Sequence, residues 1–180
     1  MTNYRRLRNP RGQYDYIVAE DVPGRDIIFR NLKAGPTPFN PNNKDRTFAL
    51  VIHDEEMAHA LEDEGWKVKW FKQKNPDDEP TAFLTVKVQF HPVTPKIFLK
   101  NEDGSHTRID ERSIALFDES DILSAKIALN GRKITPAVGT PYPKPYVSEM
   151  IIELAPSIFG VTDSGIPTDT LEIDGEDLPY

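Results

Sequence analysis

Period-two alternation of apolar and polar side chains recurs along this chain in runs too short and too often interrupted to build anything but β-structure. Residues 82–90, AFLTVKVQF, alternate cleanly, as expected of a strand with one buried and one exposed face. Residues 66–74, WKVKWFKQK, set Trp66, Val68 and Trp70 on one face and Lys67, Lys69 and Phe71 on the other. Residues 26–32 and 46–53 are β-branched and apolar enough for buried strands, and residues 96–100, 121–129 and 146–154 add three more. The period changes to helical once: Asp54 can cap a helix with Glu55 and Glu56 in its first turn, Met57, Ala58 and Leu61 as its apolar stripe and Gly65 as its stop. Residues 110–117 read as a second short, capped helix. Breakers separate these runs. Residues 35–43 form a Pro/Asn loop, residues 75–80 an acidic turn, Asp103-Gly104 a tight turn, and Asn130-Gly131 the strongest hairpin signal in the chain, followed by a proline-rich ribbon over residues 135–145. This alternation predicts a mostly β fold, an OB-like β barrel with one or two short helices.

The ends have a different character. Residues 1–15 carry Arg5, Arg6, Arg8 and Arg11 without an intervening acid and read as a basic N-terminal arm; residues 16–155 hold the periodic runs and form the domain; residues 156–180 read as an acidic, flexible C-terminal tail. The net charge of -7 hides this polarity: residues 1–100 carry 16 Lys+Arg against 14 Asp+Glu, residues 101–180 carry 6 against 15, and no basic residue follows Lys144. An acidic whole therefore does not exclude a basic face that binds a polyanion. There is no cysteine, which excludes disulfides, thiolate nucleophiles and Cys-based zinc sites and fits a reducing cytoplasm. No apolar run approaches the roughly 20 residues that span a bilayer, and none follows the N-terminal arginines, so a soluble protein that neither contacts membrane nor carries an export signal is expected.

Catalytic patterns are missing. His53, His59, His91 and His106 fall in no HxH or HExxH spacing and read as surface or strand-end histidines, so neither metal nor cofactor is expected. The carboxylate pairs Glu55/Glu56 and Asp77/Asp78 sit at a helix start and a turn, where capping and solvation explain them. What remains is aromatic residues interleaved with basic ones, the composition with which proteins bind single-stranded nucleic acid: rings stack on bases while cations meet the backbone. Candidates for that role are Trp66, Lys67, Lys69, Trp70, Phe71, Lys72 and Lys74, the arm residues Arg5, Arg6 and Arg8, and Lys87, Arg132 and Lys133. Trp66 and Trp70 share a face with Val68 and fit a core better than a stack; Phe71 and the lysines fit binding better. Tyr142, Lys144 and Tyr146 on the ribbon form a third group, alongside the alternative of a stiff connector.

Residues 46–99, RTFALVIHDEEMAHALEDEGWKVKWFKQKNPDDEPTAFLTVKVQFHPVTPKIFL, resemble the single-stranded DNA-binding proteins of tailed bacteriophages. The resemblance lies in a strand, a short acidic helix ending in Glu64-Gly65-Trp66, a Lys/aromatic strand, the turn Asp78-Glu79-Pro80, a further strand and Thr94-Pro95-Lys96, with residues 126–131 ending in an Asn-Gly turn. It implies an OB fold, no catalysis and roles in replication, recombination and repair of phage DNA. After Arg132 the chain departs from the family pattern, with Thr135-Pro136-Ala137-Val138-Gly139-Thr140-Pro141 where a Gly/Lys/Ala/Tyr strand belongs. Separately, Asp174, Glu176, Asp177, Leu178, Pro179 and Tyr180 look like the acidic tip of bacterial single-stranded DNA-binding proteins, with Leu178-Pro179-Tyr180 at the positions of its Ile-Pro-Phe end. That likeness implies a tip that recruits replication or recombination proteins, its aromatic ring and carboxylate entering an apolar pocket rimmed by basic residues. The sequence thus reads as a non-enzymatic, sequence-tolerant binder of single-stranded DNA and leaves a homodimer open. The alternative is a phage adaptor or inhibitor whose acidic half engages a basic host protein as a DNA mimic.

Overall fold

A computed structural model describes residues 2–8 and 14–156. The strands are β1 (Asn3–Arg8), β2 (Tyr14–Pro23), β3 (Ile27–Asn31), β4 (Arg46–Ile52), β5 (Lys69–Trp70), β6 (Ala82–Val88), β7 (Lys96–Lys100), β8 (His106–Ile109), β9 (Ile122–Ile134) and β10 (Tyr142–Leu154), of which β1, β2 and β8 were not expected from the sequence. The one α-helix among the described residues, α1 (Glu55–Asp63), starts where Asp54 accepts a hydrogen bond from the Met57 N–H and ends at Gly65, whose φ of 96° suits glycine. Among the described residues no helix is long and apolar enough to cross a membrane.

The ten strands form a single sheet whose main path runs β1-β2-β9-β10-β6-β4-β3. Pairings are antiparallel except where β10 meets β6 and β7. Mostly β structure with a short helix is thus what the chain adopts, but among the described residues no ladder joins β1 to β3, so backbone pairing there does not close the expected barrel. Side chains span the gap instead. On the inward side of β1, the Tyr4 hydroxyl donates to the Val51 carbonyl at 3.3 Å, and Arg6 forms an ion pair with Glu64 at the end of α1. Inside the roll lie Ile17, Phe48, Leu50, Leu84, Ile127, Leu129 and Ile152, with Leu61 and Trp66 packed on them.

Three expectations need correction. Residues 3–8, read as an arm, pair with β2 from Asn3↔Glu20 to Arg8↔Tyr14 and form an edge strand. The expected 110–117 helix is a short 3-10 turn over Ile114–Asp118. Asn130-Gly131 is no hairpin turn: β9 runs straight through it, Asn130 opposite Tyr146 and Gly131 opposite Pro145, and the chain reverses only between Ile134 and Tyr142. Gly131 is glycine because of close approach. A Cβ there would lie 2.6 Å from the Trp66 ring, 2.9 Å from Pro143 Cβ and 3.1 Å from the Asp15 carbonyl oxygen.

The Trp66 contact makes Gly131→Ala an overpacking change, expected to cost about 1–3 kcal/mol and lower the denaturant midpoint; an unchanged midpoint would show that β9 does not need this glycine. Burial, with the nearby charges of Asp26 and Asp54, raises the Tyr4 phenol above its ordinary value of 10.0. A raised folded-state value means stability is full below pH 10 and falls as pH rises beyond it, because the unfolded chain then loses the proton first. Tyr4→Phe should flatten that alkaline slope in denaturation measured as a function of pH.

Candidate nucleic-acid interface

Strand β6 sorts its side chains strictly by face. Ala82, Leu84, Val86 and Val88 are buried, while Phe83, Thr85 and Lys87 point the other way. On β4, Val51, Ala49 and Thr47 stand opposite Phe83, Thr85 and Lys87, with Ala49 and Val51 themselves buried, and Ile28 stands opposite Ala49 on β3. Tyr146 on β10 lies beside Lys87, followed by Asn130 on β9 and Tyr16 on β2. These residues make up the outward face of the rolled sheet, and two aromatic and basic groups lie along it.

The first group surrounds Phe83. Its ring centroid is 4.7 Å from that of Phe71 and 6.0 Å from that of Phe29, with Phe29 and Phe71 6.5 Å apart; Lys69 stands 6.0 Å from the Phe83 ring. Phe29 is 66% exposed and holds φ at +51°, a costly conformation for an aromatic residue. Its neighbours enforce it. Arg30, the next residue, donates to the carbonyls of Ile27 at 2.8 Å, Phe117 at 2.8 Å and Ser120 at 2.7 Å, while Asp118 accepts from the Leu32 and Lys33 N–H groups. Burial lowers the Arg30 pKa, an effect opposed by Asp118 and Asp121. With Arg30 held against the 3-10 turn, the ladder slips between Ile28 and Asn31, and the Phe29 ring is turned out beside Phe71 and Phe83.

The second group surrounds Tyr146. The Arg132 guanidinium sits 4.0 Å above its ring and donates to Gln89 at 2.9 Å; Lys87 is 5.9 Å from the same ring and pairs with Asp45 at 3.0 Å. Lys144, opposite Arg132, and Tyr142, with Lys67 4.7 Å from its ring, extend the group along β10. Tyr146 is only 8% exposed, so the surface offered here is the guanidinium plane, which can itself stack on a base.

The sequence candidates fall in different places. Lys67, Lys69, Phe71, Lys87 and Arg132 belong to these two groups, and Lys72 and Lys74 are exposed just past Phe71. Trp66, 2% exposed, is a core residue and cannot stack on a ligand. Trp70 faces α1, donating to Glu62 at 3.2 Å with its ring 4.8 Å from that of His59, away from the outward face. The strand expected over residues 66–74 shrinks to Lys69–Trp70, although its alternation of faces holds. Arg5 lies on the outward side of β1, three strands from Tyr146, and pairs with Glu20 at 3.2 Å; Arg6 is inward, on Glu64. Arg8 closes β1, and Lys133 is exposed on the strand side opposite Arg132. The candidates Asp174, Glu176, Asp177, Leu178, Pro179 and Tyr180 lie outside the described residues. Sequence reading missed Phe29 and Phe83. Phe83 was readable as the outward partner of Lys87 in the same alternation; Phe29 had no local signal, because a bulge set by distant carbonyls exposes it.

Comparison with known proteins gives one family. The family model described as "Putative phage ssDNA-binding domain" matches residues 11–128. No curated protein matches the chain. Among solved structures, a single-stranded DNA-binding protein from bacteriophage Enc34 aligns with TM-score 0.47 at 8% identity, covering 96% of this chain and 99% of that one. A C-terminal truncation of the Enc34 protein aligns with TM-score 0.44 at 7% identity over 86% and 97%. The assignment rests on the family match.

A pair of variants isolates the strain at Phe29. Phe29→Ala and Phe29→Gly both remove the ring, but only glycine accepts the positive φ freely, so the glycine variant should be more stable by about 1 kcal/mol in chemical denaturation. Equal stability would mean that the backbone at this bulge is unstrained.

Proposed function

We propose, from the premise that this chain belongs to the phage ssDNA-binding domain family, that it binds single-stranded DNA along the outward face of β6 and its neighbours. One observation carries the reading: Phe83 and Lys87 share a face of one strand, about 13 Å apart at the rise of an extended chain, and thereby join the Phe29/Phe71/Phe83 group to the Arg132/Tyr146 group in one track. Bases stack on the faces of the exposed Phe29 ring and the partly exposed Phe71 and Phe83 rings and on the Arg132 plane, each contributing about 1–3 kcal/mol, while Lys67, Lys69, Lys72 and Lys87 neutralise phosphates. Every base has a π face, so such a track is sequence-tolerant, and its affinity falls as salt rises.

The work is binding without catalysis: covering and protecting single strands exposed during replication, recombination and repair of phage DNA, in the host cytoplasm. Residues 174–180, with their acids and their Leu-Pro-Tyr sequence, recruit partner proteins, leaving the outward face to DNA.

Titration with fluorescently labelled oligo-dT at low and high salt tests the reading. Wild type should bind and weaken steeply with salt. Lys67→Glu, Lys69→Glu and Lys72→Glu combined should weaken binding about 100-fold or more, and Phe71→Ala about tenfold. A wild type that does not bind even at low salt would remove the function, and unchanged affinity in both variants would move the site off this face.

A further inference from the structure

The loop between β3 and β4 ends in an aromatic side chain that nothing in the fold uses. Phe39 is 99% exposed, the most exposed large apolar residue among those described. The loop is stitched at base and tip. Asn31 holds Gly35 with two bonds of 2.9 Å, one from its side-chain amide to the Gly35 carbonyl and one from the Gly35 N–H to its side-chain oxygen. Asn43 donates to the same Gly35 carbonyl at 2.9 Å and to the Asp45 carbonyl at 3.1 Å. At the tip, Thr37 and Asn40 exchange backbone hydrogen bonds of 3.0 and 3.1 Å across Phe39. Pro36, Pro38 and Pro41 stiffen the chain between these points, so the ring is presented at little entropic cost.

At the foot of the loop lies an open groove of about 230 Å³, with Lys44, Arg46, Lys87 and His91 in its lining. Asp45 and Glu111 line it as well, pairing with Lys87 at 3.0 Å, with Arg46 at 3.6 Å and with His91 at 3.2 Å. Lys87 belongs both to this groove and to the Tyr146 group, so the groove continues the track at the end of β6 away from Phe83.

From this we infer a second DNA-contacting segment: a strand lying on the outward face passes Lys87, sets a phosphate among the cations of the groove with Lys44 at its edge, and stacks a base on Phe39. The inference rests on the proposed single-stranded DNA binding and lengthens its site. A phosphate entering the groove displaces Asp45 from Lys87, making the segment an optional extension for longer strands.

The test compares short and long oligo-dT on the full chain. Phe39→Ala should weaken long oligo-dT about tenfold and leave a short one, held by the phenylalanine track alone, unchanged. Phe39→Trp should keep wild-type affinity and add an emission quenched only by the long strand. Lys44→Gln should lower the slope of log affinity against log salt by about one for the long strand only. If Phe39→Ala matches wild type at every length while Phe71→Ala is weakened, the loop is no DNA contact and this inference alone falls; a wild type that binds no oligo-dT overturns the parent reading and this one together.

Discussion

Seven residues of β6 have three neighbours to satisfy, and the rest of the structure follows from how they do it. One edge pairs with β4 along its full length; the other is divided, with β5 at Ala82 and Phe83 and β10 at Lys87. Strict alternation is the condition for this. A one-residue slip would put Phe83 and Lys87 into the core and Leu84 and Val86 into water, so burial of Ala82, Leu84, Val86 and Val88 fixes the register. With the register fixed, the remaining side chains must form a ridge with the opposite character. Core formation thereby creates the outward face.

Around that ridge the fold uses irregularities. The bulge in β3 turns Phe29 outward because Arg30 and Asp118 tie the strand to the 3-10 turn at Ile114–Asp118. Trp66, seated beneath Gly131, fixes the start of the segment that leads to Lys69 and Phe71, so a core indole positions the exposed ring and cation that follow it. At the other end of the sheet, Tyr4 and Arg6 close the roll through side chains.

Much of this was legible because its causes are local. The Asp54 cap, the Gly65 stop, the β6 alternation and the division of Trp66 from Lys67 and Lys69 follow from residues within a few positions of one another. The errors share a cause too. A glycine in an extended run signals either a turn or a close approach, and Gly131 looked like the first because its neighbour is Asn130, whereas Trp66, far away in sequence, makes it the second. Strand β2 went unread because its ladder is broken between Ala19 and Val22, with Asp21 at positive φ, which spoils the alternation. Residues 3–8 look like a polar arm until β2 is there to pair with them. Within the site, the cations were visible as composition; that Phe29 joins Phe71 and Phe83 depends on carbonyls nearly ninety positions away.

The central claim is that the face opposite the core, carried by β6, holds single-stranded DNA. Ultraviolet crosslinking of the full chain to oligo-dT, followed by mapping of the modified peptides, addresses it without any substitution. Adducts on the segments carrying Phe29, Phe71, Phe83 and the Lys144–Tyr146 stretch, with the Phe39 loop added for long strands, are the expected result. Adducts on the β7–β8 hairpin or on the exposed side of α1, with that face unmodified, would contradict it.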